Sequence, residues 1–106
     1  MKNKIKEITI DGETYRLAPL KCNQIEELVE GPFENESYAD MRARTWKTVH
    51  ASLENAAKLD QTTTPSIDDL KATLDLEGYI ELHKTALIAS KIRKEEEPKA
   101  AETAAA

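Results

Sequence analysis

The residues able to do chemistry in this chain are few and scattered. His50 and His83 fall in separate helical segments, and no HxxxH or HExxH spacing puts two imidazoles on one helix face to hold a metal. Cys22 is the single cysteine, so it lacks the second thiol of a disulfide, the CxxC partner of a zinc or dithiol site, and an adjacent base that would make it a nucleophile. Carboxylates are abundant, at Glu26-Glu27, Asp68-Asp69 and Glu95 to Glu97, but they sit at helix starts and in the terminal run. There they cap and solubilise, whereas acid/base work needs carboxyls gathered in a cleft. No GxxxxGK[ST], GxGxxG or GxSxG string occurs, and three glycines leave little from which to build a phosphate-cradling loop. The chain reads as a non-enzyme with no cofactor and no metal site, acting through contact with other proteins.

The bulk numbers agree with that class. A length of 106 residues suits one small domain, placed at residues 1–93, with a modest core. Fifteen basic against twenty acidic side chains give a formal net charge of −5, which opposes a broad phosphate-binding surface and argues against nucleic acid. No apolar run approaches the roughly 20 residues that cross a bilayer, and MKNKIKEITI lacks the apolar core and cleavage site of a signal peptide. The expectation is a cytoplasmic protein with no membrane partner.

The elements that must position any contact residue follow in order. IKEITIDGETYRL alternates across Asp11-Gly12, and Asp-Gly between alternating segments predicts a two-residue hairpin turn, spanning 4–18 with its strands. That turn sets Ile10 opposite Glu13, Ile8 opposite Tyr15 and Lys6 opposite Leu17, which gathers Ile8, Ile10, Tyr15 and Leu17 on one face. Glu7 with Arg16 and Thr9 with Thr14 form the wet face. Two strands alone are marginal in water, so the apolar face must meet a helix, or gain strands from another chain or another copy. Pro19 ends the second strand, and Asn23 with Glu26 makes an N-x-x-E cap for a short helix over about 23–30, with Ile25, Leu28 and Val29 buried. Gly31-Pro32 stops it.

The longest helix is expected over about 37–58, with Tyr38, Met41, Thr45, Trp46, Val49, Leu53, Ala56 and Ala57 in one stripe and Asp40, Arg44, Lys47, Glu54 and Lys58 opposite. Arg42 falls inside the stripe, where it either snorkels, reaches a carboxylate or contacts a partner. Phe33, just before this helix, is either a plug over the core or a partner contact. Thr64 or Ser66, Pro65, Asp68 and Asp69 mark the start of a helix over about 65–74, with Pro65 suited to its first position and Ile67, Leu70 and Leu74 on one face. A last helix over about 76–93 begins near Asp75 or Gly78 and lines up Tyr79, Leu82, His83, Ala86, Leu87 and Ser90. Ile88 and Ile92 project to its far side, where they are covered within the domain or bind something. KEEEPKAAETAAA lacks bulky apolar residues, so 94–106 is expected to be a disordered tail. The fold class is α+β, mainly helical: an N-terminal β-hairpin followed by about four helices in a small bundle.

Two stretches resemble the tail assembly chaperones of long-tailed bacteriophages. ITIDGETYRLAPLKCNQIEEL at 8–28 is similar to that family's opening hairpin, Pro-Leu break and first helix. TPSIDDLKATLDLEGYIELHKTALIAS at 64–90 is similar to its Thr-Pro-initiated acidic helix, Leu-Asp-Leu step and final helix. Together they cover about half of the chain. The resemblance implies a protein of the host cytoplasm that binds the tape measure protein and tail tube subunits during tail assembly and is largely absent from the finished virion. It also implies that a longer frameshifted product diverges after Arg93, and it leaves self-association open. Ile88 and Ile92, with Phe33 and Arg42, are the expected partner contacts, from the helix-face reading and not from any family motif. The alternatives are a minor structural tail component retained in the virion and an acidic inhibitor of a host protein. The second of these is disfavoured by carboxylates that alternate with lysines and arginines instead of lining one surface.

Overall fold

A computed structural model describes residues 4–92. The Asp11-Gly12 step works as its chemistry requires: both residues take positive φ, 52° and 84°, and fold strand β1 (Lys6–Ile10) back onto β2 (Glu13–Leu17). The antiparallel register pairs Ile8 with Tyr15 and Ile10 with Glu13. Tyr15 and Leu17 are buried, with Ile8 and Ile10 packed against them. On the other face the Thr9 and Thr14 hydroxyls are 3.0 Å apart, and Arg16 bonds Glu7.

Beyond β2 the segment Ala18–Leu20 runs through the interior, so its backbone polar groups need partners from elsewhere. Ser52 donates its hydroxyl to the Ala18 carbonyl at 2.7 Å and accepts the Ala18 N–H on its own carbonyl at 3.1 Å. Asn55 Nδ2 donates to the Pro19 carbonyl at 3.0 Å, and Ser90 Oγ accepts the Leu20 N–H at 2.9 Å. Two helices are thereby tied to one strand-like crossing.

Helix α1 (Cys22–Ile25) continues into wider π-type turns over Glu26–Glu30. Its start is one correction to the sequence reading. The Gln24 side chain, not Glu26, reaches back to accept a backbone N–H, that of Lys21 at 2.8 Å, so the helix opens before Asn23. Gln24 takes this role because the same oxygen is fixed by Asn55 at 2.9 Å. Leu20, Leu28 and Ala51 form a small cluster here, with Ile25 and Val29 against it. Gly31 ends the turn at φ 77°.

Helix α2 (Tyr38–Asp60) is the spine. Ser37 caps it, accepting the Asp40 N–H at 3.0 Å, and Gln61 closes it at φ 60°. Its core face holds Trp46, Val49, Leu53, Ala56 and Ala57 as expected. Two expectations fail on this helix. Tyr38 is 69% exposed. Arg44, placed in the solvent stripe, is half-buried, drawn down by the Glu36 carboxylate of the preceding loop and the Leu28 carbonyl of the π-type turns.

Ser66 caps helix α3 (Ile67–Thr73), and Asp75 caps helix α4 (Leu76–Ala89) by accepting the Gly78 N–H at 2.9 Å. Pro65 therefore lies outside α3, before the cap, and not at its first position. Helix α2 packs on β2 and α4, while α4 packs on β1. The central core is Leu17, Trp46, Val49, Leu53, Leu70, Leu82 and Ala86 around Tyr15. The face α4 buries is Gly78, Leu82, Ala86 and Ala89, rotated from the expected stripe, so that Tyr79, His83, Leu87 and Ser90 are only half-buried. At Gly78 the approach is close: a Cβ there would lie 2.9 Å from Leu74 Cδ2 and 3.4 Å from Ile10 Cγ2 of β1. Helix α4 ends at Ala89, and both Arg93 and the expected tail lie outside the described residues.

Candidate functional site

Rotation of α4 toward its small residues brings other apolar side chains to the surface. Leu76 and Ile80, one turn apart, are 64% and 50% exposed, and Leu87 continues the same face half-buried. Leu76, the first residue of this stripe, lines a groove of about 460 Å³ between the first half of α2 and the α3–α4 junction. Its floor is Trp46 and Tyr79, whose ring centroids lie 4.6 Å apart at an interplanar angle of 37°. Leu74 and Leu76 form one wall, and Ala39 and Ala43 the other.

Arg42 stands at the mouth. Its guanidinium carbon lies 5.6 Å from the Tyr38 ring centroid and 5.8 Å from that of Tyr79, held by two π faces and not by a carboxylate. Tyr38, misjudged as core, is thus one of the two rings that fix the arginine. Lys71 lines the same groove, and neither Arg42 nor Lys71 makes an ion pair among the described residues. Asp75, the one acidic residue of the lining, has its Oδ1 occupied by the α4 cap.

The four expected contact residues do not form one surface. Ile92 is 40% exposed, but Ile88 is half-buried. Ile88 lies roughly 14 Å along the α4 axis from Tyr79 and Ile92 lies past the end of the helix, so Arg42 is not adjacent to them. Phe33 is half-buried beneath Arg44, whose guanidinium carbon sits 3.7 Å from its ring centroid. Arg44 also grips Glu36 with two bonds of 2.8 Å and donates to the Leu28 carbonyl at 2.8 Å. The hydrogen bond from Arg44 holds the Glu36 carboxyl below the usual carboxylate range, and the same bond raises the arginine. Phe33 is therefore part of a clamp that fixes the loop before α2.

No family model, curated protein or solved structure matches this chain. The site must be read from its own geometry.

Cys22 is exposed at the start of α1, His50 lies on α2 and His83 on α4. Among the described residues no group of three or more His, Cys, Asp or Glu side chains is placed to hold a metal ion, and no helix is long and apolar enough to cross a membrane. The sequence reading missed Leu76, Ile80 and Lys71. The available signal was the i, i+4 spacing of Leu76 and Ile80, on a face of α4 next to the one taken as core.

Proposed function

We propose that this chain is a tail assembly chaperone of a long-tailed bacteriophage, which works in the host cytoplasm by binding the tape measure protein and tail tube subunits before the tube polymerises. One observation carries the partner-binding part of the reading: a small apolar face, Leu76 and Ile80, left exposed beside an aromatic groove. A monomer gains nothing from leaving such side chains in water, and a contiguous apolar face rimmed by polar groups is what a protein-binding surface requires. The resemblance of residues 8–28 and 64–90 supplies the class of partner. A hairpin followed by four helices is the element order that the resemblance implies. A long helical tape measure exposes apolar surface until it is packaged, and an acidic protein with a small apolar face would cover it reversibly and keep it dispersed.

The test is co-expression of the tagged chain with the neighbouring genes of its source genome, followed by capture and mass spectrometry, alongside a protein gel of purified particles. A chaperone captures a very long helical protein together with a tail tube subunit and is missing from the particles. Retention in the particles would instead make it a minor structural tail component, and capture of a host enzyme alone would favour the inhibitor.

A further inference from the structure

We infer that the groove between α2 and the α3–α4 junction takes an amphipathic helix of a partner protein whose apolar ridge is flanked by carboxylates. The inference rests on the partner-binding reading above and adds the chemistry of what is bound. Three features of the groove select this occupant.

The first is charge. The chain carries a net charge of −5, yet the groove presents two cations, Arg42 and Lys71, without an ion-pair partner among the described residues. Its one carboxylate, Asp75, accepts the Gly78 N–H and keeps its charge, so the lining carries two cations against one anion. An acidic protein with a locally basic apolar groove attracts carboxylates there and repels them elsewhere. The second is preorganisation. Arg42 is held between the Tyr38 and Tyr79 rings, so less side-chain freedom is lost when its guanidinium forks onto a carboxylate. The third is shape. Ala39 and Ala43, exposed and one turn apart on α2, leave a shallow wall against which a ridge of side chains can seat. Opposite them Leu74 and Leu76 line the groove, and Ile80, one turn on from Leu76 and outside the lining, extends the apolar contact that a helix with i, i+4 anchors would cover.

A second copy of this chain is a poorer occupant, because each copy brings the same net charge of −5 and an equally basic groove. A phosphate ligand would need backbone N–H groups or a cationic cluster turned inward. The groove instead offers two cations at its lip over an aromatic floor.

The test uses the full chain and two labelled synthetic helices of roughly 20 residues, about 30 Å long. Both carry Leu at i, i+4 and i+7, with the flanking positions all Glu in one and all Lys in the other. Binding is read by anisotropy of the label and by the emission of Trp46, the chain's single tryptophan, which lies in the groove floor. The Glu-flanked helix should bind about tenfold or more tightly than the Lys-flanked one and shift the Trp46 emission. The preference should shrink as salt rises. Arg42→Glu should invert the preference and Ile80→Ser should weaken both helices, while Ile92→Ser, past the end of α4, should change neither. Circular dichroism of each variant establishes that it is folded.

Equal binding of the two helices, or a preference that survives Arg42→Glu, overturns the inference. So does a shift from dimer to monomer in Arg42→Glu, since the face would then bind another copy. Capture of the tape measure protein that is unaffected by Arg42→Glu and Ile80→Ser would overturn this groove and leave the chaperone reading standing. An Arg42-dependent preference for the Glu-flanked helix without capture of the tape measure protein would do the reverse.

Discussion

Ser52 and Thr48 are both fully buried hydroxyl residues on α2, one turn apart, and their removal should have very different consequences. Ser52 Oγ donates to the Ala18 carbonyl at 2.7 Å, across to the segment leaving the hairpin. Ala18 is 2% exposed, so Ser52→Ala strands an acceptor where water has little access. Leaving a buried acceptor unmet costs about 1–3 kcal/mol. For a domain of this size each kcal/mol moves Tm by roughly 4–8 °C, so the variant should melt about 4–24 °C lower. Thr48 Oγ1 instead donates at 2.9 Å to the Arg44 carbonyl, one turn back on its own helix, where the helix ladder already supplies a donor. Thr48→Val keeps the shape, removes a buried hydroxyl and orphans nothing, so its effect should stay within about 0.5 kcal/mol in either direction. Urea unfolding at constant m reads both as shifts of the midpoint. Equal midpoints for the two variants would refute the claim that cross-element bonds to Ala18–Leu20 hold the hairpin to the helices.

Leu82, fully buried where α4 meets the core, should cost about 2–5 kcal/mol on truncation to Ala, read from the same urea midpoint. Gly31→Ala should lose more than about 1 kcal/mol, because Gly31 sits at φ 77° and a Cβ there would lie 2.8 Å from Phe33 Cδ2; thermal melting checks it. The Arg44–Glu36 clamp predicts a pH dependence. The Glu36 carboxyl is held below the usual range, so its stabilisation is fully present above the unfolded-chain pKa and is lost as pH falls through the folded value. The urea midpoint of Glu36→Gln should therefore fall below that of the parent protein at about pH 7, and the gap should close toward about pH 3. A gap that stays constant with pH would show that the carboxylate's charge is not what the clamp uses.

Features set by residues a few positions apart were legible in the sequence. Asp11-Gly12 dictated the turn, and with it every cross-strand pair, since a two-residue loop allows a single register and a slip would turn Ile8 and Leu17 outward. The last two helix starts were legible to within a few residues, as Thr64 or Ser66 and Asp75 or Gly78, because a cap is a bond between a side chain and an N–H three residues on; the structure places the caps at Ser66 and Asp75. Even so, Lys21 and Gln24 displaced Asn23 and Glu26 at α1, because Asn55, thirty-one positions away, fixes the Gln24 oxygen. The candidate site was much less legible. Arg42 stood out as an arginine in an apolar stripe, but its place between Tyr38 and Tyr79 needed α4 laid against α2. Periodicity says that α4 has an apolar side and not which part of it meets a neighbour. That phase was decided by tertiary packing, which set Gly78, Leu82, Ala86 and Ala89 inward, where α4 meets α2 and the hairpin, and so left Leu76 and Ile80 in the solvent.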